Sequence, residues 1–342
     1  METLQATPAA ILQVGMGFWA SKTLLTAVNM EVFTFLSEGE KSGLEIQHKL
    51  GLHSRSLYDF LDTLVALGFL NRSGIKESAV YENTVETDLF LDKNKPSYIG
   101  GILEMTNNRL YPFWNDLEIG LKTGLPQNET KHNGQPLFEV IYNDPHKLRE
   151  FIQAMAGVQT GNFMAFSEKF DFSEYTTLCD IGGCGGHLSA HVVLKNPHMK
   201  CSSFDLPQVE PIAKEVITKM NLNTNITLIS GDFFTDDFPQ SDIITMGNVL
   251  HDWGEEDKIK LINKAYKALP SGGALVVIEN IIDDARRENA FGLLMSLNML
   301  IETENGFDFT FEDFNKWTKQ AGFTSTELMP LTGATSAAIA YK

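Results

Sequence analysis

The sequence is poor in the features that mark several large protein classes. Cysteine is one: Cys179, Cys184 and Cys201 are the only three. So few, and an odd number, do not build a secreted disulfide framework, and no pair has zinc-site spacing. Reduced thiols in a cytoplasmic protein are expected. Basic charge is also scarce, with 27 Lys and Arg against 44 Asp and Glu and a formal net charge of −17. Surfaces that coat nucleic acid or anionic membranes neutralise phosphates with Lys and Arg, so neither partner is expected. A small charged ligand is still open, because a local site can differ in sign from the whole. Long apolar runs are missing as well. The uncharged stretch Thr3 to Ser21 is broken by Gln5, Pro8 and Gln13, and does not read as a membrane span. The start of the chain has no basic-then-apolar leader pattern.

What is present suits a globular protein of about two domains. Residues 1–100 read as a helical domain. Ile46 and Leu50 form an apolar stripe closed by Gly51. Ser54 is a candidate N-cap for a second helix carrying Leu57, Phe60, Leu61, Leu64 and Val65, which Gly68 ends. A turn at 71–74 and a return strand from Val80 complete a winged-helix pattern of helix, turn, helix and small hairpin. In a DNA reader the second helix would carry basic or amide side chains. Here Arg55 faces Asp59 and Asp62, so packing or dimerisation is the expected role. Residues 101–165 look helical and rich in aromatic rings, with a polar loop from Thr123 to Pro136.

Residues 166–342 change rhythm. Strands are expected at 177–181, 200–205, 226–229, 242–246 and 274–278, with helices between them. That alternation predicts an α/β, doubly wound, Rossmann-like parallel sheet. Two last strands, near 323–329 and 336–341, predict an antiparallel hairpin at its edge.

Chemistry gathers at the strand ends. The first strand runs into Gly182-Gly183-Cys184-Gly185-Gly186, a turn that lets a ligand approach the backbone. No Lys-Ser/Thr follows, so it is not a triphosphate loop. Asp180 sits just before the glycines, and Asp205 ends the second strand, where an acid can take two ribose hydroxyls. Acids in place of phosphate anchors favour a cationic, ribose-bearing ligand. Asp232-Phe233 after the third strand suits an adenine, although a turn with core phenylalanines would look the same. After the fourth strand comes His251-Asp252-Trp253; a neutral imidazole there suits a general base near pH 7. Glu279 ends the apolar fifth strand and needs a partner. Orienting His251 is one role for it, and capping a loop is the other.

Asp180-Ile-Gly-Gly-Cys-Gly-Gly, Phe204-Asp-Leu-Pro207, Gly231-Asp-Phe-Phe234 and His251-Asp-Trp253 follow one another in the order and spacing of a known family. The chain resembles the class I S-adenosylmethionine-dependent O-methyltransferases of the plant caffeate and acetylserotonin type and their bacterial small-molecule relatives. Gly17-Phe-Trp-Ala-Ser-Lys22 and Leu297-Asn-Met-Leu300 add to the likeness. The resemblance implies S-adenosylmethionine as methyl donor, S-adenosylhomocysteine as product, no metal, and a homodimer formed through the winged-helix domain. It places Gly182 under the methionine part of the donor, Asp205 and Leu206 at the ribose, Asp232 and Phe233 at the adenine, and Asp180 and Gly247 nearby. His251 becomes the base, held by Glu279 and Asp308. Three departures stand out: Cys184 replaces a motif glycine, Gly247 a lysine, and Phe309 an arginine.

The expected reaction is methyl transfer to a hydroxyl of a small molecule. A thiol, thioether or amine acceptor, including a small carboxylate, is the alternative, and a non-catalytic winged-helix regulator a more distant one. Trp19, Arg109, Trp114, Met155 and Asp252 are the substrate-side candidates. Arg109 is either a clamp for a substrate carboxylate or an ordinary surface arginine.

Overall fold

The computed structural model describes residues 6–134 and 137–342. Gln135 and Pro136, the end of the expected polar loop, lie outside the described residues, as does the start of the uncharged N-terminal stretch. The loop holds a short helix, Thr130–Asn133. The chain forms two compact units, Met1–Pro112 and Phe113–Lys342. Their boundary falls inside the aromatic segment expected over 101–165.

The N-terminal unit is helical but not all-helical. β1 (Lys41–Ser42), β2 (Leu70–Ser73) and β3 (Val80–Asn83) form a small antiparallel sheet in the order β1-β3-β2. β2 and β3 are the expected wing. Ser42 and Glu45 make a reciprocal capping box that starts helix Gly43–Leu50, and Gly51 ends it in the left-handed region. The second helix, Leu57–Ala66, has Ser56 in the cap position, two residues past the expected cap, and no side-chain cap bond. Leu57, Leu61 and Leu64 bury its inner face against Phe33, Leu36, Ile46 and Tyr81. Asp62 accepts a hydrogen bond from Tyr81 Oη at 2.7 Å and pairs with Arg72 at 2.7 Å. Two charges of the helix and wing are thereby spent on each other. The first helices, Ala9–Gly15 and Gly17–Asn29, leave Ile11, Leu12, Val14, Met16, Phe18 and Trp19 exposed.

The C-terminal unit is built on seven strands: β4 (Thr177–Ile181), β5 (Lys200–Asp205), β6 (Ile226–Ser230), β7 (Ile243–Gly247), β8 (Ala274–Glu279), β9 (Ser325–Pro330) and β10 (Ser336–Tyr341). Their order is β6-β5-β4-β7-β8-β10-β9. The first five are parallel, and β10 runs antiparallel between β8 and the edge strand β9. β8 is buried at every position, as a strand covered on both faces must be. One apolar layer holds Ile181, Phe204, Met246, Val277 and Trp317; the other holds Leu178, Cys201, Ile243, Ile278 and Ile339. The chain winds outward from β4 to β6, returns to β7 and continues the other way. The crevice beyond the carboxyl ends of β4 and β7 is where such a sheet binds its ligand. A 25-residue helix, Pro145–Lys169, reaches this crevice; Asp144 caps it and Pro145 opens it.

Candidate active site

Four strand ends, those of β4, β5, β6 and β7, meet at one cavity of about 240 Å³. The glycine turn after β4 forms its floor. Gly182 has φ +69°, and a side chain there would strike Val249. A Cβ on Gly183 would lie 2.2 Å from Ser203 Oγ and 3.1 Å from the Asp180 carbonyl oxygen. Cys184, the substituted motif glycine, keeps the left-handed backbone at φ +48°. That conformation is strained for a residue with a side chain. The turn is held from outside: Asp205 Oδ2 accepts from Cys184 N at 2.8 Å, and Asp205 Oδ1 accepts from Leu206 N at 2.7 Å.

Asp180, Asp205 and Asp252 all line the cavity. Burial pushes the Asp205 carboxyl up to about 6, against the pull of its two amide bonds. Asp180 goes up to about 7 for the same reason, eased by the Thr245 hydroxyl donating to it at 2.7 Å. Asp232 Oδ1 accepts from Phe234 N at 2.8 Å, which fixes the turn that presents Phe233. Phe233, Phe234 and Trp253 pack edge to face, and Phe138 stacks on Trp253 at 5.8 Å. Gly247 also lines the cavity. Where the resemblance expects a lysine, its Cβ position lies 3.6 Å from the ring of Phe163, so an aromatic edge fills that space.

Of the substrate-side candidates, Met155 and Asp252 line the cavity. Trp114 donates its indole N–H to Asn298 at 2.9 Å. Trp19, exposed on helix Gly17–Asn29, and Arg109, in a π turn at Thr106–Leu110, belong to the N-terminal unit. Sequence reasoning missed Tyr142, Gln159, His187 and Asn248, which also line the cavity. Burial holds His187 down to about 4, with its neighbour His191 adding to the effect, so it is neutral at physiological pH. Asn248 follows the β7 strand with φ +52°, and its Oδ1 is buried without a partner, as is Trp253 Nε1. Nothing in the sequence marks Asn248; its left-handed backbone at a strand end shows only in the structure.

His251 lies in the 3-10 turn Leu250–Asp252 and is buried. Its Nδ1 is 3.4 Å from Asp308 Oδ1, and its Nε2 is 3.6 Å from Asp252 Oδ1. Burial alone would favour the neutral ring. Asp252, Glu279 and Asp308 outweigh it and raise the imidazole to about 10. The neutral imidazole expected from the sequence is thus opposed by its surroundings, which favour the charged ring in the free protein. Glu279 acts differently from its simplest expected role. Its Oε1 accepts from Leu250 N at 2.8 Å and His251 N at 3.2 Å, so it grips the backbone of the turn while its charge acts on the imidazole together with Asp252 and Asp308. Phe309, at the expected arginine, packs on Trp317 with centroids 5.1 Å apart. Ligand-type atoms of His251, Glu279 and Asp308 lie within 4.8 Å of one another. His251 lies 3.4 Å from Asp308 and 3.6 Å from Asp252, contacts that make the cluster an ion-pair frame.

The residues present fit S-adenosylmethionine. The turn at Gly182 and Gly183 is packed too tightly against Val249 and Ser203 for a Cβ and so brings bare backbone to the cavity wall, the carboxylates suit a cation bearing hydroxyls, and Asn248 Oδ1 and Trp253 Nε1 lack partners. Comparison with known proteins agrees. An O-methyltransferase domain family matches residues 114–324 and an O-methyltransferase dimerisation domain matches residues 12–93. The tetracenomycin polyketide synthesis 8-O-methyl transferase of Streptomyces glaucescens is 36% identical over 335 residues, 98% of this chain and 97% of its own. An N,N-dimethyltransferase of Streptomyces rimosus is 31% identical over 94% of both chains. Human N-acetylserotonin methyltransferase, solved with S-adenosylmethionine, superposes with a TM-score of 0.91 at 27% identity, covering 100% of this chain and 99% of its own.

Proposed function

The chain belongs to the S-adenosylmethionine-dependent O-methyltransferases, enzymes that methylate hydroxyls of small molecules, and from that premise we propose that its acceptor is a phenol and that His251 takes the phenol's proton. The observation that carries the acceptor class is the ring-lined wall of the cavity: Phe138, Tyr142, Phe151 and Phe163 beside Met155. Flat aromatic acceptors match such a wall.

When bound, S-adenosylmethionine supplies an electrophilic methyl group on a sulfonium. Asp205 and Leu206 would hold its ribose, Asp232 and Phe233 its adenine, and the turn at Gly182 and Gly183 with Asp180 its amino-acid end. Gly247 lines the cavity beside it. Asp308 draws the Nδ1 proton of His251, which leaves Nε2 as the atom that accepts a proton once the ring is neutral. Closing the site against water strengthens these interactions, and alignment of acceptor and donor supplies much of the rate. A second reading, transfer to an amine, is favoured by the Streptomyces rimosus relative.

Titration calorimetry with S-adenosylmethionine, followed by transfer of isotope-labelled methyl to simple phenols, tests the proposal. Saturable binding is expected, weakened about 10–100-fold in Asp205→Ala. That variant loses charged hydrogen bonds worth about 1.5–3 kcal/mol and orphans two amides of the loop. Equal affinity in wild type and variant refutes the ribose role, and label found only on amines refutes the phenol.

We also infer a homodimer through the N-terminal unit, supported by the dimerisation-domain match and by the uncovered face of Ile11, Val14, Phe18 and Trp19. Val14→Asp is expected to shift sedimentation at micromolar concentration from dimer towards monomer; an unmoved dimer would place the contact elsewhere. The pairing of Arg72 with Asp62 supports an architectural winged helix over a DNA reader. Three free thiols support a reducing, cytoplasmic setting. Among the described residues no helix is long and apolar enough to cross a membrane.

A further inference from the structure

We infer that Gln159 is a specificity-determining residue whose side-chain N–H donates to a carbonyl oxygen of the acceptor, so that the phenols this enzyme takes carry a ketone-type oxygen besides the hydroxyl that is methylated. This builds on the phenol reading of the site. On helix Pro145–Lys169, Phe151, Met155, Gln159 and Phe163 recur at every fourth position, and all four line the cavity. Gln159 is the polar point of that stripe, between a thioether and a ring, and it is only 4% exposed.

A chain of hydrogen bonds fixes which end of its amide faces which way. Thr332, in the turn between β9 and β10, donates twice to Asn162 Oδ1, from its backbone N at 3.2 Å and from its hydroxyl. A backbone N–H can only donate, so the oxygen end of Asn162 is settled. Asn162 Nδ2 then donates to Gln159 Oε1 at 2.9 Å. Turning the Gln159 amide over would set N–H against N–H, so Oε1 stays on Asn162 and Nε2 is the end left for a ligand. Among the described residues Nε2 has no hydrogen-bond partner. A buried N–H left unpaired costs free energy, and an oxygen on a bound ligand removes that cost. The methyl donor is matched elsewhere: the residues proposed to hold it, Asp180, Gly182, Asp205 and Asp232, stand at strand ends and the glycine turn, whereas Gln159 stands on the helix among the rings of the acceptor wall. The reacting hydroxyl is a poor match too, because a hydrogen bond to that oxygen would occupy the electron pair that attacks the methyl group. A second oxygen that accepts and cannot donate, as in a ketone on the ring, fits the N–H.

Four probes test this: meta- and para-hydroxyacetophenone, and the isopropylphenols of the same patterns, which put a methyl group in place of the carbonyl oxygen. Each is titrated calorimetrically into wild type and Gln159→Met loaded with S-adenosylhomocysteine, and kcat/KM is measured with S-adenosylmethionine. Wild type should favour the better-placed ketone over its isopropyl partner by about 10–100-fold in both readouts, since the analogue leaves the N–H unpaired. Gln159→Met keeps the length of the side chain and loses the N–H, so the preference should shrink to about threefold or less. Its affinity for S-adenosylmethionine should stay within about twofold of wild type, as expected for a residue that does not touch the methyl donor. The infrared carbonyl stretch of the bound ketone should lie at lower frequency in wild type than in Gln159→Met. If Gln159→Met does not fold, Gln159→Asn, which withdraws the amide by one methylene, takes its place with the same expectations.

Equal treatment of ketone and isopropyl probes by wild type overturns the inference, as does a preference that survives in the variant. An equal loss for all four probes also overturns it, because a structural role alone gives that result. A tenfold or greater loss of S-adenosylmethionine affinity would assign the amide to the methyl donor instead. If calorimetry shows the ketone preference and its loss in the variant, yet none of the probes is methylated, the phenol reading fails and the hydrogen-bonding role of Gln159 stands.

Discussion

Replacing His251 by alanine is expected to lower kcat for a phenol by about 10²–10⁴, the usual worth of a positioned general base, with little change in the Michaelis constants. His251 is the one imidazole gathered with Asp252, Glu279 and Asp308, and Asp252 carries that cluster to the cavity wall. The wild-type pH profile should have a distinctive form. With the ring raised to about 10 in the free protein, the neutral fraction grows tenfold per pH unit through neutrality. The logarithm of kcat/KM should therefore climb with a slope near one well above pH 7, and the slope should vanish in His251→Ala. A cation bound among Asp180, Asp205 and Asp252 competes for the same negative charge, so kcat in the loaded enzyme should titrate at lower pH than kcat/KM. Stability moves the other way from activity. The folded-state value lies above the unfolded 6.5, so the stability linked to this proton is complete below pH 6.5 and is lost as pH rises towards 10. A flat profile, or a loss in His251→Ala of less than about threefold, would remove His251 from the proton transfer.

Much of this site could be read from the sequence because strand ends are local signals. The glycine turn, Asp205, Asp232 and His251 each follow a short apolar strand, and a parallel sheet brings those ends together whatever the tertiary detail. Residues on the long helix Pro145–Lys169 were harder. Met155 was named from it and does line the cavity, but Gln159 is one point on a continuous periodic pattern, and only packing decides which points meet the crevice. Charge state was not legible at all. His251 looked like an ordinary imidazole until Asp308, 57 positions away in sequence, and Glu279 from the next strand were placed beside it. Lys258 did carry a signal: it shares a helical face with Leu261, Ile262 and Ala265, all buried. A lysine in an apolar stripe is a buried charge in need of partners, and the pattern of the helix alone could have raised that question. Ser54 failed as a cap because Ser56 lies nearer the first buried residue, Leu57.

Glu279→Ala should be the most destabilising single change in the catalytic unit. It removes the acceptor for two buried amides, Leu250 N and His251 N, and an acid whose charge faces the buried His251. Orphaning buried donors costs about 1–3 kcal/mol each, so about 3–5 kcal/mol is expected in all. At about 2–4 °C per kcal/mol for a unit of this size, the melting midpoint should drop by roughly 10 °C. Glu279→Gln separates the two causes. Its amide oxygen can still accept from both N–H groups, so the turn carrying His251 should keep its shape, and the loss reduces to the charge, about 1–3 kcal/mol. The activities should diverge in the same order. Alanine frees the backbone of Leu250–Asp252 and misplaces His251, so kcat should fall far more than thermal stability alone accounts for when assayed well below the midpoint. Glutamine should keep the geometry and alter chiefly the pH profile, since one of the three acids holding the His251 proton is gone and the rise in rate should begin at lower pH. Thermal melts and pH–rate profiles of the two variants decide it. If alanine melts within about 2 °C of wild type, Glu279 is not the clasp of this turn. If glutamine leaves the profile unmoved, its charge does not act on His251.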